Sequence, residues 1–412
     1  MFSGSRGGVL ARPGSRLVNT VIFVSFVVVG LALLVTKITF KSHHGVQVMP
    51  PFGVRCSFST DTQLRSPHGT RSFLQLMEER GSSNAYDQGG SALHANTSST
   101  QVKLEIIVLT MSRAAALQRL LESLVRADYL GDSADLRVLV DRAPDTGGVD
   151  EETVESVTDF HWPHGQKRMV VQGVNQGLER QWIHAWPNPL GSGSASGSSP
   201  KYVIILEDDL EVSPLFWEFV KGADLAYGSD PRVAGYTLQR ATLRANQTLT
   251  KCPILVDSKQ NPAFMYRLVG SWGFAPKAAV WRDFLEYYWQ HIQNATYDPS
   301  VKNLVPSSWY KRQRGKGTMW TMWFIRFCHE RDLFVVYGNF VADVQGKDRH
   351  RKRTPVTLAA NWRESGVHYN SLFAQGRDFD LLSMDARSQI RFPLRPVFLD
   401  WDGEPMNDLT LL

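Results

Sequence analysis

Three consecutive carboxylates, Glu207, Asp208 and Asp209, follow an apolar, β-prone run and precede a Ser-Pro turn within Val203–Pro214. A strand that ends in acids presents them at the carboxyl edge of an α/β sheet, where ligands gather. Hard oxygen ligands suit Mg²⁺ or Mn²⁺, which keep several waters and bridge phosphate oxygens. A solvated acidic turn is the plainer alternative. In this context the sequence favours a divalent metal site that holds a diphosphate.

The acids close a series of alternating strands and helices. Buried strands are predicted for Leu104–Thr110, Asp135–Asp141, Lys167–Gly173 and 201–209. Apolar residues at helical spacing follow the first strand from Arg113 onward, and a helix containing Gln181 follows the third. Strands that alternate with helices imply a parallel sheet with right-handed crossovers. The expected fold class is therefore α/β, with a mostly parallel sheet flanked by helices.

The second half of the chain continues the series less regularly. The pattern predicts helices at Leu215–Tyr227, Ala278–Ile292 and Gly317–Arg331, strands at Val233–Gln239 and Leu333–Phe340, a Gly-punctuated aromatic segment at Val269–Phe274, and a basic run at Gly346–Arg353.

The N-terminal region predicts a membrane anchor. Leu17–Val35 carries no charge over 19 residues, about the length that spans a bilayer. A cleaved signal peptide is the rival, but the run is longer than a usual signal core and lacks an A-x-A site. Arginines precede the run, which places the short tail in the cytoplasm. The predicted boundaries are a tail at 1–16, a signal anchor at 17–36, a flexible stem at 37–100 and a luminal catalytic domain at 101–412.

Other sequence features bear on the compartment and the partners. Three sequons begin at Asn96, Asn246 and Asn294, as expected of a glycosylated luminal protein. An odd set of cysteines allows Cys252 to pair with Cys328, leaving Cys56 for a disulfide-linked dimer, or leaves buried free thiols. A net charge of +5 without an aromatic-interleaved basic strip argues against nucleic acid as a partner.

Residues 104–355 together resemble a GT-A glycosyltransferase, a Rossmann-like fold. The resemblance is closest to the Golgi mannosyl-glycoprotein and protein O-mannose β-1,2-N-acetylglucosaminyltransferases. The motif at 207–212, EDDLEV, matches their metal motif, and Thr110–Arg113 matches their first strand ending in an arginine turn. The resemblance implies Mn²⁺ or Mg²⁺, a UDP-sugar donor, a glycan or glycoprotein acceptor, and a type II membrane protein of the Golgi or endoplasmic reticulum.

The resemblance also implies roles for individual residues. Asp209 would bind the metal, Asp208 and Glu207 the ribose or metal-bound water, Thr110 and Arg113 the nucleotide or its diphosphate, Asp141 the uracil or ribose, and Asn175 the base or sugar. The ordinary alternatives are that Arg113 is a solvated arginine, that Asp141 caps a helix or stabilises a turn, and that Asn175 is a turn residue. Trp272 and Gly273 would form the floor of the acceptor and sugar pocket, or belong to the core. A basic loop with Lys347, Arg349 and His350 would close over the diphosphate.

The sequence departs from this family at the catalytic base. Inverting members carry an acid in an aromatic segment near the start of the late helix, whereas this chain has Trp320-Thr321-Met322-Trp323 there. Asp283, Glu286 and Asp343 are the candidate replacements, or the reaction retains configuration and needs no such base. N-acetylglucosamine is the first expectation for the transferred sugar, and galactose or mannose the alternative. A catalytically silent, membrane-anchored glycan-binding protein is the alternative of another class.

Overall fold

The computed structural model describes residues 69–86, 102–190, 200–241, 244–249, 254, 256–313, 317, 319–345, 351–363, 376–377 and 379–406. The predicted tail, membrane anchor and most of the stem lie outside these ranges. Within these ranges, no helix is long and apolar enough to cross a membrane. The described residues belong to one compact unit, 47–412.

The strands are β1 Thr70–Ser72, β2 Lys103–Thr110, β3 Ser133–Val140, β4 Lys167–Val171, β5 Tyr202–Glu207, β6 Leu210–Val212, β7 Val233–Thr237, β8 Ala263–Tyr266, β9 Phe274–Pro276, β10 Phe334–Gly338, β11 Phe340–Gln345, β12 Arg351–Thr357, β13 Ala359–Arg363, β14 Gly376–Arg377, β15 Asp380–Leu381, β16 Arg391–Pro393 and β17 Phe398–Leu399. The helices are α1 Phe73–Tyr86, α2 Ala114–Val125, α3 Glu151–Asp159, α4 Gly177–Ala185, α5 Phe216–Tyr227, α6 Ala278–Ile292, α7 Val305–Gln313 and α8 Trp320–Glu330, with a 3₁₀ helix at Met384–Gln389.

A nine-stranded sheet organises these elements in the order β17-β8-β10-β7-β9-β5-β2-β3-β4. Its β5-β2-β3-β4 half is parallel throughout. In the other half β9 runs antiparallel to β5 and β7, and β8 runs antiparallel to β10. The sheet is therefore mostly parallel, and the carboxyl ends of β2, β3, β4 and β5 meet along one edge.

Helices cover both faces of the sheet because its central strands are apolar on both sides. Ile106 of β2 packs in the core on the face of α2 and α5, whereas its neighbour Ile107 packs on the face of α4, α6 and α8. Successive side chains of a strand point to opposite faces, so continuous apolar strands such as β2 and β5 bury both sides. The result is three layers, helices on sheet on helices.

The structure confirms the predicted α/β class and the chain order of the four parallel strands β2, β3, β4 and β5 with the helices α2 and α4. The sequence pattern predicted no element for β1, α1 or α3. The helix predicted at Ala278–Ile292 has the same bounds in the structure. The strand predicted at Leu333–Phe340 is divided instead into β10 and β11, which belong to different sheets. The pattern also missed the short antiparallel strands β8 and β9, whose apolar runs are too brief to be told from loops.

Candidate functional site

A cleft of about 670 Å³ opens at the carboxyl ends of the parallel strands β2, β3, β4 and β5. All six residues predicted to bind a nucleotide line it, together with apolar side chains and Gln181. Its lining comprises Leu109, Thr110, Met111, Ser112, Arg113, Asp141, Pro144, Asn175, Gly177, Leu178, Gln181, Glu207 and Asp208. The sheet topology thus brings together residues that are almost 100 positions apart in the chain.

The acidic motif lies in the tight connection between β5 and β6. The backbone N–H of Asp208 donates to the carbonyl of Leu109 on β2 at 3.1 Å, and the carbonyl of Asp209 accepts from the N–H of Trp362 at 2.8 Å. Because β6 also pairs with β13, backbone hydrogen bonds hold the acids on two sides. The motif is a buried, constrained connection rather than a solvated surface turn.

Arg113 joins the two aspartates of the motif. Its Nη2 forms a short ion pair with Asp208 Oδ1, and its Nη1 lies 3.1 Å from Asp209 Oδ2. Thr110 Oγ1 donates to Asp208 Oδ2 at 2.7 Å. Burial raises the pKa of Asp208 despite the adjacent arginine. Burial alone would lower the pKa of Arg113, but Asp208 and Asp209 together raise it, so the guanidinium stays charged.

Glu207 accepts a hydrogen bond from one tryptophan, which is itself stacked on a second. Trp182 Nε1 on α4 donates to Glu207 Oε1 at 3.0 Å. The Trp182 ring stacks on Trp320 of α8, with centroids 4.2 Å apart and planes at 22°. Burial, with the negative charge of Asp209, raises the pKa of Glu207 well above the usual range. The late aromatic segment therefore supports the acidic motif, although it supplies no acid.

The carboxylate oxygens of the motif fit a divalent cation that is coordinated mainly by the phosphates of a bound substrate. In the described part of the chain no cluster of three or more histidine, cysteine, aspartate or glutamate side chains is arranged to hold a metal by itself. Both oxygens of Asp208 are engaged, by Arg113 and Thr110, whereas Arg113 engages Oδ2 of Asp209. Mg²⁺ is commonly bound through one or two carboxylates plus substrate phosphates, and Asp209 can supply one.

Asp141 holds the start of α4 in place. Its Oδ1 accepts from the backbone N–H groups of Arg142 and Gln176 at 2.9 and 2.8 Å. Its Oδ2 accepts from the N–H of Gly177 at 2.8 Å and from Asn175 Nδ2 at 3.3 Å. An ionised carboxylate offers about four acceptor positions. The carboxylate that was predicted to bind uracil or ribose is thus saturated by its own chain, and it positions the cleft wall.

Gln181 is a cleft residue to which the sequence analysis gave no role. It is 4% exposed, and its Nε2 lies 3.5 Å from the carbonyl of Thr110. Its buried Oε1 has no hydrogen-bond partner. In the sequence, Gln181 is a polar residue next to the apolar pair Trp182-Ile183, in a helix that follows a parallel strand. Many helices share this pattern, so it does not mark Gln181 as a cleft residue.

The structure places Trp272 and Gly273 beside the core rather than in the cleft. Gly273 has φ +74°, and a Cβ atom there would lie 2.7 Å from Leu238 and 3.0 Å from Leu206. Trp272 is half-buried and packs against the core. The glycine is thus required by close packing of the chain against itself. Binding of an acceptor sugar by these two residues stays a prediction.

The predicted base candidates do not gather at the cleft. Asp283 lies on α6 with its carboxylate 48% exposed and paired with Arg282, and Glu286 is an exposed residue of the same helix. Asp343 lies on β11, in register with Arg353 of β12. The basic-loop residues Lys347, Arg349 and His350 lie outside the described residues. No base is assigned by these positions.

A buried acid that the sequence did not single out lies behind α4. Glu179 is 8% exposed and accepts from Tyr288 Oη at 2.9 Å. Burial raises its pKa, although hydrogen bonds from Tyr288 and the backbone N–H of Met319 oppose the shift. Its side chain does not line the cleft. Glu179 therefore ties α4 to α6 and to the start of α8.

The sequons and cysteines that the structure describes differ in accessibility. Asn294 is exposed after α6, whereas Asn246 is partly buried and donates from Nδ2 to Asp402 Oδ1 at 2.7 Å.

Cys328 is a free, buried cysteine of α8, so the structure does not contain the predicted pairing with Cys252 and has the alternative, a buried thiol, at this position. Asn96, Cys56 and Cys252 lie outside the described residues.

Comparisons with known proteins give weak likenesses. No protein-family model matches the chain, and no curated protein matches it significantly. Among solved structures, the mannosyltransferase PcManGT from Pyrobaculum calidifontis, in complex with GDP-Man and Mn²⁺, is 15% identical with a TM-score of 0.31, covering 51% of this chain and 53% of its own. TarS 1-349 from S. aureus is also 15% identical, with a TM-score of 0.24, covering 35% of this chain and 41% of its own. The chain thus spans about half the length of the mannosyltransferase, and at these scores neither likeness bears on its fold or function.

Proposed function

We propose that this protein is a metal-dependent glycosyltransferase that moves a sugar from a nucleotide sugar to a hydroxyl of a glycan or glycoprotein. The first candidate donor is UDP-N-acetylglucosamine, with Mn²⁺ or Mg²⁺ as the cation. We further propose that it is a single-pass type II protein of the Golgi or endoplasmic reticulum, anchored by residues 17–36. The alternative donor is a galactosyl or mannosyl nucleotide on the same scaffold.

The observation that carries this proposal is the composition of the cleft. An acidic motif, an arginine and a saturated aspartate lie along the carboxyl edge of four parallel strands. Ligands of open α/β sheets bind at this edge. Apolar side chains of Leu109, Met111, Pro144 and Leu178 share the lining with the polar groups. Such a mixture suits a nucleotide, which has a flat base at one end and phosphates at the other.

Different residues of the site would bind different parts of the ligand. Arg113, at the turn after β2, suits a diphosphate because its guanidinium is planar, always charged and able to donate to two oxygens. Asp209 would hold the divalent cation, which supplies charge neutralisation for the departing nucleotide diphosphate. Asp141 fixes the start of α4, and so fixes the wall formed by Leu178 and Gln181. The guanidinium of Arg113 and the cation would together stabilise the negative charge that develops on the departing nucleotide diphosphate.

The rival of another class is a catalytically silent glycan-binding protein with the same fold. A missing acid in the aromatic segment favours this alternative, and the intact, buried acidic motif opposes it. Asp208 is buried and Glu207 is partly buried, each with a specific partner, and buried carboxylates are costly unless they are paired or used. A group of carboxylates at the edge of a cleft is better accounted for by a bound cation and diphosphate than by a glycan alone.

A donor-hydrolysis screen tests the proposal. Full-length protein is incubated with Mn²⁺ and a panel of UDP- and GDP-sugars, and release of the nucleoside diphosphate is followed. We expect release from one donor that stops when Mn²⁺ is chelated and in Asp209→Ala. The spectrum of the released or transferred sugar by NMR then gives the stereochemistry. No metal-dependent release from any donor, with or without glycan acceptors, would sink the enzyme assignment in favour of the binding protein.

A further inference from the structure

Arg113 contacts both aspartates of the acidic motif through different nitrogens. The side chains of Asp208 and Asp209 are 2% and 12% exposed, and that of Arg113 is 30% exposed. The guanidinium thus bridges two nearly buried carboxylates while part of it faces the cleft. The two negative charges share one internal cation, which leaves one of them uncompensated within this trio.

Arg113 and a metal ion would compete for the same carboxylate. Nη1 of Arg113 lies 3.1 Å from Oδ2 of Asp209, the carboxylate that is available to a divalent cation. Two cations on one carboxylate repel each other strongly in a partly buried site. Asp208 cannot replace Asp209, because Arg113 and Thr110 engage both of its oxygens. Metal binding and the Arg113–Asp209 pair therefore oppose each other.

We propose that Arg113 is an internal counter-ion that competes with the divalent cation for Asp209 and yields it when a nucleotide diphosphate arrives. The inference rests on the proposed function. A guanidinium matches the geometry of a phosphate as well as that of a carboxylate, so the diphosphate offers Arg113 another anion within the same cleft. The protein then binds the metal poorly alone and well together with the nucleotide. By linkage, the metal raises nucleotide affinity by the same factor.

Mn²⁺ binding to the nucleotide-free protein tests this competition. Free Mn²⁺ is measured by electron paramagnetic resonance as full-length wild type, Arg113→Met and Arg113→Gln are titrated. An arginine that merely supported the site would weaken Mn²⁺ binding when removed. Competition predicts the opposite sign, a Kd tightened about tenfold, which is within the usual range of coupling between sites. In wild type, saturating UDP or GDP also tightens Mn²⁺ binding, and this effect shrinks in both variants.

Arg126→Met is the matched control. Arg126 is an exposed cation 3.9 Å from Glu211, two positions after Asp209, so its loss removes the same charge without freeing Asp209. We expect its Mn²⁺ Kd to change less than about twofold, as for other exposed ion pairs. Arg113→Gln keeps a donor toward Asp208 and decides the question if Arg113→Met does not fold.

Two outcomes separate the claims. Unchanged or weaker Mn²⁺ binding in a folded neutral variant of Arg113 overturns the competition. Tighter Mn²⁺ binding in the neutral variants, with no binding of UDP or GDP under any condition, supports competition between Arg113 and the metal and contradicts the transferase assignment.

Discussion

Replacing Asp141 with asparagine separates a positioning carboxylate from a ligand-binding one. The carboxylate accepts from three backbone N–H groups, of Arg142, Gln176 and Gly177, and from Asn175. Asparagine has one oxygen, and its best orientation keeps the bonds to Arg142 and Gln176. The N–H of Gly177, bonded at 2.8 Å in the wild type, then faces an amino group.

The expected cost follows from the groups that lose their acceptor. A buried donor left without a partner costs about 1–3 kcal/mol, and a hydrogen bond to a charged group contributes about 1.5–3 kcal/mol. The bond from Asn175 is long at 3.3 Å and adds little. Asp141→Asn should therefore lower the free energy of unfolding by about 3 kcal/mol. Because α4 carries Leu178 and Gln181, nucleotide affinity should fall with it.

Urea denaturation of the full-length protein, followed by tryptophan fluorescence, measures the change. Asp145→Asn is the control, since Asp145 is an exposed turn residue that accepts from the N–H of Thr146 at 2.9 Å. Its effect should stay within about 0.5 kcal/mol, as for most surface substitutions. A loss of nucleotide affinity in Asp141→Asn with the stability unchanged would refute the positioning role and restore direct ligand contact.

Three further predictions concern side chains of α4. Gln181→Met removes an acceptor without a partner and should raise the free energy of unfolding by about 1 kcal/mol in urea titrations; a loss of stability would mean that the oxygen is satisfied. Trp182→Phe removes the donor to Glu207 and should cost about 1–3 kcal/mol, with ring stacking retained; a neutral result would deny that bond. Burial raises the pKa of Glu179, so its contribution to stability is present below the usual glutamate range and lost as pH rises. Wild type should therefore lose stability relative to Glu179→Gln as the pH rises above the usual glutamate pKa of about 4.3, and a parallel pH dependence of the two would contradict this.

The sequence could predict the strands and the acids because both depend on local patterns. Four apolar β-prone runs between helical patterns require a parallel sheet, and a parallel sheet brings its strand ends together. Thr110, Asp141, Asn175 and Glu207 were therefore expected at one edge, and they line one cleft. Their partners were not predictable. Whether Asp141 binds a ligand or four donors of its own chain depends on how α4 starts relative to β3.

The identity of a catalytic base is the part of the proposal that the sequence left open. The family that the chain resembles has an acid near the position of Trp320, whereas this chain has none, and the structure shows Trp320 stacked on Trp182, which donates to Glu207. Tertiary packing between helices distant in the chain creates this arrangement, and no local pattern encodes it. Glu179 was overlooked for the same reason, since its burial depends on α6 and α8.

Calorimetric titration of UDP, and then of GDP, into wild type and Asp209→Ala with and without Mn²⁺ tests the central claim most directly. A metal-dependent transferase should bind one nucleotide only when Mn²⁺ is present. Asp209→Ala should lose this binding while its circular dichroism spectrum and thermal midpoint show an intact fold. Nucleotide binding that ignores Mn²⁺, or that persists unchanged in Asp209→Ala, would contradict the account.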